Sequence, residues 1–116
     1  MKIAVTYKDG KVDQHFGMAT QVKFYDIQNG SVASTEIVGL TAGHTFIARV
    51  IYGNAADAVI CGHIKPGAAN ALLLSGLMLC AGAEGDADAA VEAYLAGTLK
   101  HDPEAIDLDE TCGHDD

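Results

Sequence analysis

The residues of this sequence best suited to chemistry are histidines and cysteines, whose side chains bind transition metals. His15 lies in the polar hexapeptide VDQHFG at positions 12–17, between two segments of alternating apolar residues. A loop between two such segments lies at the end of a sheet, where binding groups are commonly displayed. Burial of Phe16 would anchor this loop, and Gly17 would allow a backbone conformation closed to other residues. His15 could then offer a neutral ring nitrogen to a metal, and the alternative is an ordinary surface histidine.

The loops that follow the later apolar segments are expected to meet the His15 loop. In an open α/β sheet, ligands bind outside the carboxyl ends of the parallel strands. His63 follows one such strand, and His44 leads into a predicted helix, so both could converge on the same place. Either histidine could equally be a solvated loop residue. The loops concerned are residues 8–17, 62–67 and 82–85.

Backbone groups and lysines would make this end of the sheet attractive to an anion. A helix predicted to begin near Pro66 and Gly67 exposes free N–H groups and the positive end of its dipole. Positive charge would come from Lys8, Lys11 and Lys65. The glycine spacing GxxxxG lacks the Lys-Ser/Thr pair of a phosphate-binding loop. We therefore expect a pocket for an anion that also accepts soft or borderline ligands.

The three cysteines divide into two kinds. Cys61 ends a predicted buried strand and Cys80 lies within another, so both are expected to be small core residues. Cys112 and His114 stand two positions apart near acidic residues, and a thiol and an imidazole at that spacing can chelate a soft metal. Two ligands do not close a metal site, and an acidic tail without chemistry is the alternative.

Apolar periodicity predicts five strands and three helices. Their order along the chain is strand, strand, strand, helix, strand, helix, strand, helix. This order implies an α/β fold in which an antiparallel hairpin lies beside parallel strands, with helices on both faces of a mixed sheet. Gln28-Asn29-Gly30 is the predicted hairpin turn. The predicted strands cover residues 2–7, 22–27, 32–38, 57–61 and 77–81, and the helices cover 45–52, 66–74 and 87–96, the last capped by Asp86 and ended by Gly97.

Composition predicts a single domain in a reducing compartment. The chain has 116 residues, of which 49% are apolar, enough for one core. No apolar run approaches a membrane span, and Met1 and Lys2 lead directly into a predicted strand, so neither a membrane segment nor a secretory signal is expected. An odd number of cysteines argues against a disulfide scaffold. We therefore expect a cytoplasmic protein.

Charge is concentrated at one end of the sequence. Seven of the sixteen acidic residues lie within residues 101–116, which contain no Lys or Arg. We predict a folded domain over residues 1–100 and an acidic, mobile tail over residues 101–116. An acidic chain without a basic stripe is a poor ligand for nucleic acid, so that function class is set aside.

Enzymatic motifs are scarce. The nucleophile elbow GxSxG is absent, and no Ser-His-Asp arrangement is indicated. Asp13, Asp26 and Asp57 could be imagined as the metal-binding carboxylates of a nuclease. Asp57 begins a strand at the opposite end of the sheet from the His15 loop, however, so the three would not converge. We therefore expect no catalysis.

Several motifs, taken in order, resemble those of a known family. They are VDQHFG at 12–17, AVICG at 58–62, GAA at 67–69, SGL at 75–77 and LAGTL at 95–99. In order and spacing they are similar to the dinitrogenase iron-molybdenum cofactor biosynthesis family, which includes NifX, NafY and the carboxy-terminal domain of NifB. The resemblance covers residues 1 to about 100.

The resemblance implies a ribonuclease-H-like three-layer fold with a mixed five-stranded sheet and no nuclease activity. It also implies non-catalytic binding or carriage of a metal–sulfur cluster. That cluster would be the iron-molybdenum cofactor or its precursor, an iron–sulfur cluster, or the molybdenum–copper sulfide cluster of small orange-protein-type members. The histidine of the family's HFG loop is a proposed cluster ligand and corresponds to His15. A cluster-donating or cluster-accepting protein would be the partner.

The chain departs from the family pattern at His63, where many members carry a second glycine, and this departure raises the chance that His63 is a ligand. The competing hypothesis is an interaction or regulatory module that keeps the fold and has lost the cluster. The residues expected to contact the cofactor are Lys11, His15, Phe16, Gly17, Gly62, His63 and Gly67. Those expected to bind metal are His15, His63, Cys112 and His114.

Overall fold

The computed structural model describes residues 1–40 and 44–106, whose strands form a mixed sheet. The order across the sheet is β4-β3-β1-β5-β6, with β2 paired to β1 outside this path. β1, β5 and β6 are parallel, whereas β3 is antiparallel to both β1 and β4. The predicted hairpin beside parallel strands is thereby confirmed. The strands are β1 (Lys2–Lys8), β2 (Lys11–Val12), β3 (Gln21–Gln28), β4 (Ser31–Gly39), β5 (Ala58–Ile60) and β6 (Met78–Cys80).

Helices cover both faces of the sheet, as predicted. α1 (His44–Gly53) and α2 (Pro66–Leu74) share one core cluster, to which β1 contributes Ala4. α3 (Ala87–Ala96) shares the other cluster, to which β1 contributes Ile3 and Val5. Successive residues of a strand point to opposite faces, so β1 supplies both cores. The result is a three-layer α/β arrangement.

Two tight turns set the register of the antiparallel strands. Asn29 and Gly30 have positive φ values of 55° and 80°, as the predicted hairpin turn requires. Asp9 and Gly10 repeat this pattern with 51° and 84°. The second turn returns the chain along β1, which pairs Lys8 with Lys11. The prediction of a continuous loop over residues 8–17 is therefore wrong at its start, and the sheet has a sixth, two-residue strand.

The five predicted strands and three predicted helices all appear within one residue of their predicted ends. α3 shows why its ends were predictable. The Asp86 side chain accepts a hydrogen bond from the Ala89 amide at 2.8 Å, and Gly97 ends the helix in a left-handed conformation. The assignment to the ribonuclease-H-like class stays a prediction.

α3 is tied to the sheet by a polar cluster that we call the α3 clamp, formed by Lys23, Tyr25 and Asp88. The Asp88 carboxylate accepts hydrogen bonds from the Tyr25 hydroxyl at 2.5 Å and from Lys23 Nζ at 3.0 Å. These two bonds, that of Tyr25 first, hold the pKa of Asp88 below its ordinary value. Burial, followed by the bond to Asp88, raises the pKa of Tyr25. Each polar group of the clamp therefore has a partner.

The chain stays packed beyond residue 100, where the sequence placed the start of the tail. A 3-10 turn (Pro103–Ala105) buries Ala105 against the core of α1 and α2. The Asp102 amide donates to Ala81 O at 2.9 Å, and the Ala81 amide donates to His101 Nδ1 at 3.0 Å. The folded region extends beyond the predicted boundary at residue 100, because the acidic composition of the segment obscures the few apolar residues that pack. Residues 107–116, with Cys112 and His114, lie outside the described residues.

Candidate metal–sulfur cluster site

The predicted convergence of loops occurs at the carboxyl ends of β1, β5 and β6. The Val12 amide donates to Gly85 O at 2.9 Å, which joins the first loop to the loop after β6. The Gly82 amide donates to Gly62 O at 2.9 Å, which joins that loop to the one after β5. Three segments that are distant in the chain thus form one surface, as expected for a parallel sheet.

His15 and His63 are paired on this surface, and we call them the histidine pair. They form an isolated parallel bridge, in which the His63 amide donates to Gln14 O at 2.8 Å and the Phe16 amide donates to His63 O at 3.0 Å. Both side chains are exposed. The predicted proximity of these two histidines is confirmed. His44 begins α1, and its side chain is outside the described set.

The loop that carries His15 is held by burial of Phe16 and by hydrogen bonds to β1. Phe16 is 1% exposed and packs in the core shared with α1 and α2, so the predicted anchoring by burial is confirmed. The Asp13 amide donates to Thr6 O at 2.8 Å, and the buried Thr6 hydroxyl donates to Asp13 O at 2.9 Å. Gly17 lies inside a 3-10 turn (Phe16–Met18) and is not among the glycines with positive φ. The conformational reason predicted for Gly17 is therefore wrong, since other residues adopt this backbone as well.

Gln14 and Gly62 interlock directly beneath the histidine pair. A Cβ added to Gly62 would lie 2.6 Å from Gln14 Cα, a distance that no real side chain tolerates. The Gln14 side chain donates to Ala83 O at 2.8 Å and to Val12 O at 3.3 Å. Gly62 thus has a packing role in addition to its predicted place at the site. The role of Gln14 was not predictable from the sequence, because nothing local distinguishes a glutamine that bridges loops from a solvated one.

Lysines reach the site together with carboxylates. An open groove of about 430 Å³ is lined by Lys8, Lys11 and His15 and also by Asp9 and Asp13. Lys11 is exposed, so its ammonium group is accessible to a ligand. The two acidic residues offset the two lysines of the groove. Positive charge at this end of the sheet is therefore weaker than the count of lysines suggested.

The N-terminus of α2 lies next to the histidine pair and is not capped by the side chain of its N-cap residue. Lys65 occupies the N-cap position without a capping hydrogen bond from its side chain, and Pro66 begins the helix. Gly67 is exposed, and a Cβ added to it would meet nothing within 4 Å. Packing of the described residues therefore does not demand glycine at position 67. An uncapped helix N-terminus leaves backbone N–H groups available to an anion.

The buried cysteines do not belong to the site. Cys61 and Cys80 are free and buried, which confirms the prediction that both are core residues. Burial raises the pKa of Cys61 to about 12, so its thiol stays protonated. Within residues 1–40 and 44–106 there is no group of three or more His, Cys, Asp or Glu side chains that could hold a metal ion. The Asp57 carboxylate accepts a hydrogen bond from the Lys2 amide at 2.8 Å. Asp57 therefore lies at the opposite end of β1 from Asp13, as predicted, and the two carboxylates do not converge.

The chain matches the family described as "Dinitrogenase iron-molybdenum cofactor" over residues 1–97. It belongs to this family. Residues 1–97 include the histidine pair and all three helices, so the family assignment covers the site as well as the fold. No curated protein shows significant sequence similarity to the chain.

Solved structures share the family fold. The crystal structure of PH0822 is 25% identical, with a TM-score of 0.82 over 90% of this chain and 97% of that one. The apo form of the orange protein from Desulfovibrio gigas is 27% identical, with a TM-score of 0.74 over 88% and 92% of the two chains. A candidate dinitrogenase from Methanocaldococcus jannaschii is 20% identical, with a TM-score of 0.74 over 89% and 95%, and shows the fold alone. None of the described helices has the length and hydrophobicity needed to cross a membrane.

Proposed function

We propose that this chain binds and carries an anionic metal–sulfur cluster and catalyses no reaction. One observation carries the proposal: His15 is exposed on a loop anchored by buried Phe16, and its ring forms no hydrogen bond with any other described residue. The family is named for the iron-molybdenum cofactor, and the orange protein was solved in an apo form. The cargo would be of the iron-molybdenum-cofactor type, an iron–sulfur cluster or a molybdenum–copper sulfide.

The groups around His15 fit a bulky anion. The imidazole would bind one metal, and the uncapped N-terminus of α2 would donate N–H groups to sulfide. Gly67 leaves room for the backbone of that turn to approach the cluster closely. Lys11 would add charge from the neighbouring groove. These residues hold and orient the cargo, and none of them needs to move a proton.

The surroundings of the site suggest how such a carrier would work. Most of the proposed contacts lie on an open surface rather than in a closed cavity, so a cluster could pass to or from a donating or accepting protein. The free, buried thiols of Cys61 and Cys80 suit a reducing compartment, which supports the proposal of a cytoplasmic protein. Participation of Cys112 and His114 stays a prediction.

The alternative function is an interaction or regulatory module without a cluster. It is favoured by one observation, the lack of a group of three or more potential metal ligands among residues 1–40 and 44–106. Metal-binding proteins with fewer protein ligands exist, but their remaining coordination positions must be filled by the cargo or by solvent.

Metal and sulfide analysis of protein isolated without oxygen or chelators tests the proposal. We expect bound metal with labile sulfide and a charge-transfer spectrum, either as isolated or after reconstitution. His15→Ala should lose most of the cluster. His101→Ala is the control: it removes another exposed imidazole from the same end of the sheet, together with the hydrogen bond that this ring accepts from the Ala81 amide, and it should retain the cluster. Protein that is colourless and refuses reconstitution would favour the alternative.

A further inference from the structure

Histidine occupies both positions of the bridge between the two loops, although the fold does not require it there. The bridge is made by backbone groups, through the bonds of the His63 amide and carbonyl. Any two residue types with exposed side chains could stand at such paired positions. Neither imidazole forms a hydrogen bond with another described residue. Packing and hydrogen bonding within the described residues therefore give no reason for two histidines.

The pairing places the two rings within reach of one ion. Residues that are directly paired on neighbouring strands carry side chains on the same face, and such strands lie about 4.7–4.9 Å apart. From that spacing two imidazole nitrogens can converge on a metal at about 2.0–2.1 Å each. The exposed position of His15 and His63 leaves the face above them open to an ion.

The backbone under the histidine pair is already fixed. Gln14 lies against Gly62, and its side chain bonds to Ala83 O and Val12 O. Phe16, the residue after His15, is buried in the core. A pair of ligands held on such a base loses little conformational freedom when it binds, which favours affinity.

We infer that His15 and His63 together chelate one transition-metal ion of borderline softness, such as copper, zinc or iron. Imidazole suits these metals, and two protein ligands leave coordination positions open. The sulfide ligands of the cargo would fill those positions, so the cluster would be bound through two histidines of this chain rather than one. This inference rests on the proposed function for the identity of the cargo, but the chelate itself can be tested with a bare ion.

Copper(II) is the probe for the test, because it binds imidazole more tightly than the other divalent first-row metals. The full chain with Cys112→Ser is the background, since copper(II) oxidises accessible thiols, whereas Cys61 and Cys80 are buried. Affinity is measured by titration, and the number of bound nitrogens is read from the superhyperfine pattern of the electron paramagnetic resonance spectrum. The variants are His15→Ala, His63→Ala, their double mutant and the control His101→Ala, each first checked for native circular dichroism.

The expected result is one copper ion bound by two nitrogens. A second ligand on the same rigid base raises affinity by about 10² or more, so each single substitution should weaken binding about 100-fold and remove one nitrogen. The double mutant should lose both nitrogens and bind copper more weakly than either single variant, and His101→Ala should match the background. Unchanged affinity and nitrogen count in His63→Ala would overturn the inference, as would binding that depends on neither histidine.

Cluster reconstitution separates failure of this inference from failure of the proposed function. If cluster binding depends on His15 but copper binding does not depend on His63, the carrier function stands and the chelate does not. If copper binds through both histidines and no cluster can be reconstituted, the chelate stands and the carrier function fails. Restoring Cys112 in an anaerobic cluster reconstitution then shows whether the tail adds a ligand to the pair.

Discussion

The α3 clamp and the histidine pair are both built by residues far apart in the chain, yet they differ in how their polar groups are used. In the clamp, Asp88 accepts from both Tyr25 and Lys23, so the cluster is internally satisfied. In the histidine pair, backbone groups make the bridge, and both rings are exposed and form no hydrogen bond with another described residue. The first arrangement stabilises the contact between α3 and the sheet. The histidine pair is held in place through its backbone, so its side chains stay available to a ligand, as a binding site requires.

The largest effect on stability is expected from a substitution in the base of the histidine pair. Gly62→Ala places a Cβ 2.6 Å from Gln14 Cα, and backbone atoms cannot move aside cheaply. We expect a loss of about 3 kcal/mol in the free energy of unfolding, measured by denaturant titration. A wild-type value would show that the two loops are not interlocked.

Removing one hydroxyl should weaken the clamp by a smaller amount. Tyr25→Phe deletes the hydrogen bond to Asp88 while keeping the buried ring. We expect the free energy of unfolding to fall by about 1.5 kcal/mol at neutral pH, because a hydrogen bond to a charged group contributes more to stability than one between neutral groups. Thermal and chemical unfolding at pH 7 would measure it.

The same variant gives a pH dependence with a defined sign. The pKa of Asp88 is lowered in the folded state, so its ionised carboxylate stabilises the protein above the ordinary value of 3.8. That contribution is lost as the pH falls through the lowered, folded-state pKa. The difference in stability between wild type and Tyr25→Phe should therefore shrink below about pH 4. A difference that stays constant down to pH 2 would contradict the role of the charge.

Gly67→Ala separates stability from binding at the second glycine of the site. The added Cβ meets nothing within 4 Å, and alanine is favoured over glycine in a helix. We expect stability to be unchanged or to rise by up to about 1 kcal/mol. Cluster retention after anaerobic reconstitution should nevertheless fall, if the cargo approaches this turn of backbone closely. Full retention would remove Gly67 from the proposed contacts.

The smallest effect on stability is expected from the histidine pair itself. His15→Ala and His63→Ala remove exposed rings that have no hydrogen-bond partner among the described residues. Surface substitutions of this kind change the free energy of unfolding by about 0.5 kcal/mol or less. A loss of 2 kcal/mol in either variant would show a structural role and would undo the contrast with the clamp.

Local patterns made most of the fold predictable. Asn29 and Gly30 allow the positive φ of a tight hairpin, and Asp86 and Gly97 mark the two ends of α3. Such features depend only on nearby residues. β2 escaped prediction because two residues carry no periodicity, and the packing of Ala105 was hidden within an acidic segment. The conformational role predicted for Gly17 was wrong for a related reason, since a glycine in the sequence does not reveal which backbone angles it adopts.

The amino-acid sequence is enough to predict the helices and strands, their order along the chain and the residue types at the loop ends. It also placed His15 on an anchored loop, because Phe16 follows it directly. The folded structure adds that His15 pairs directly with His63 in a bridge and that Gly62 lies against Gln14. These contacts depend on how the three loops pack against each other after the parallel strands have paired. Spacing along the chain does not encode that register.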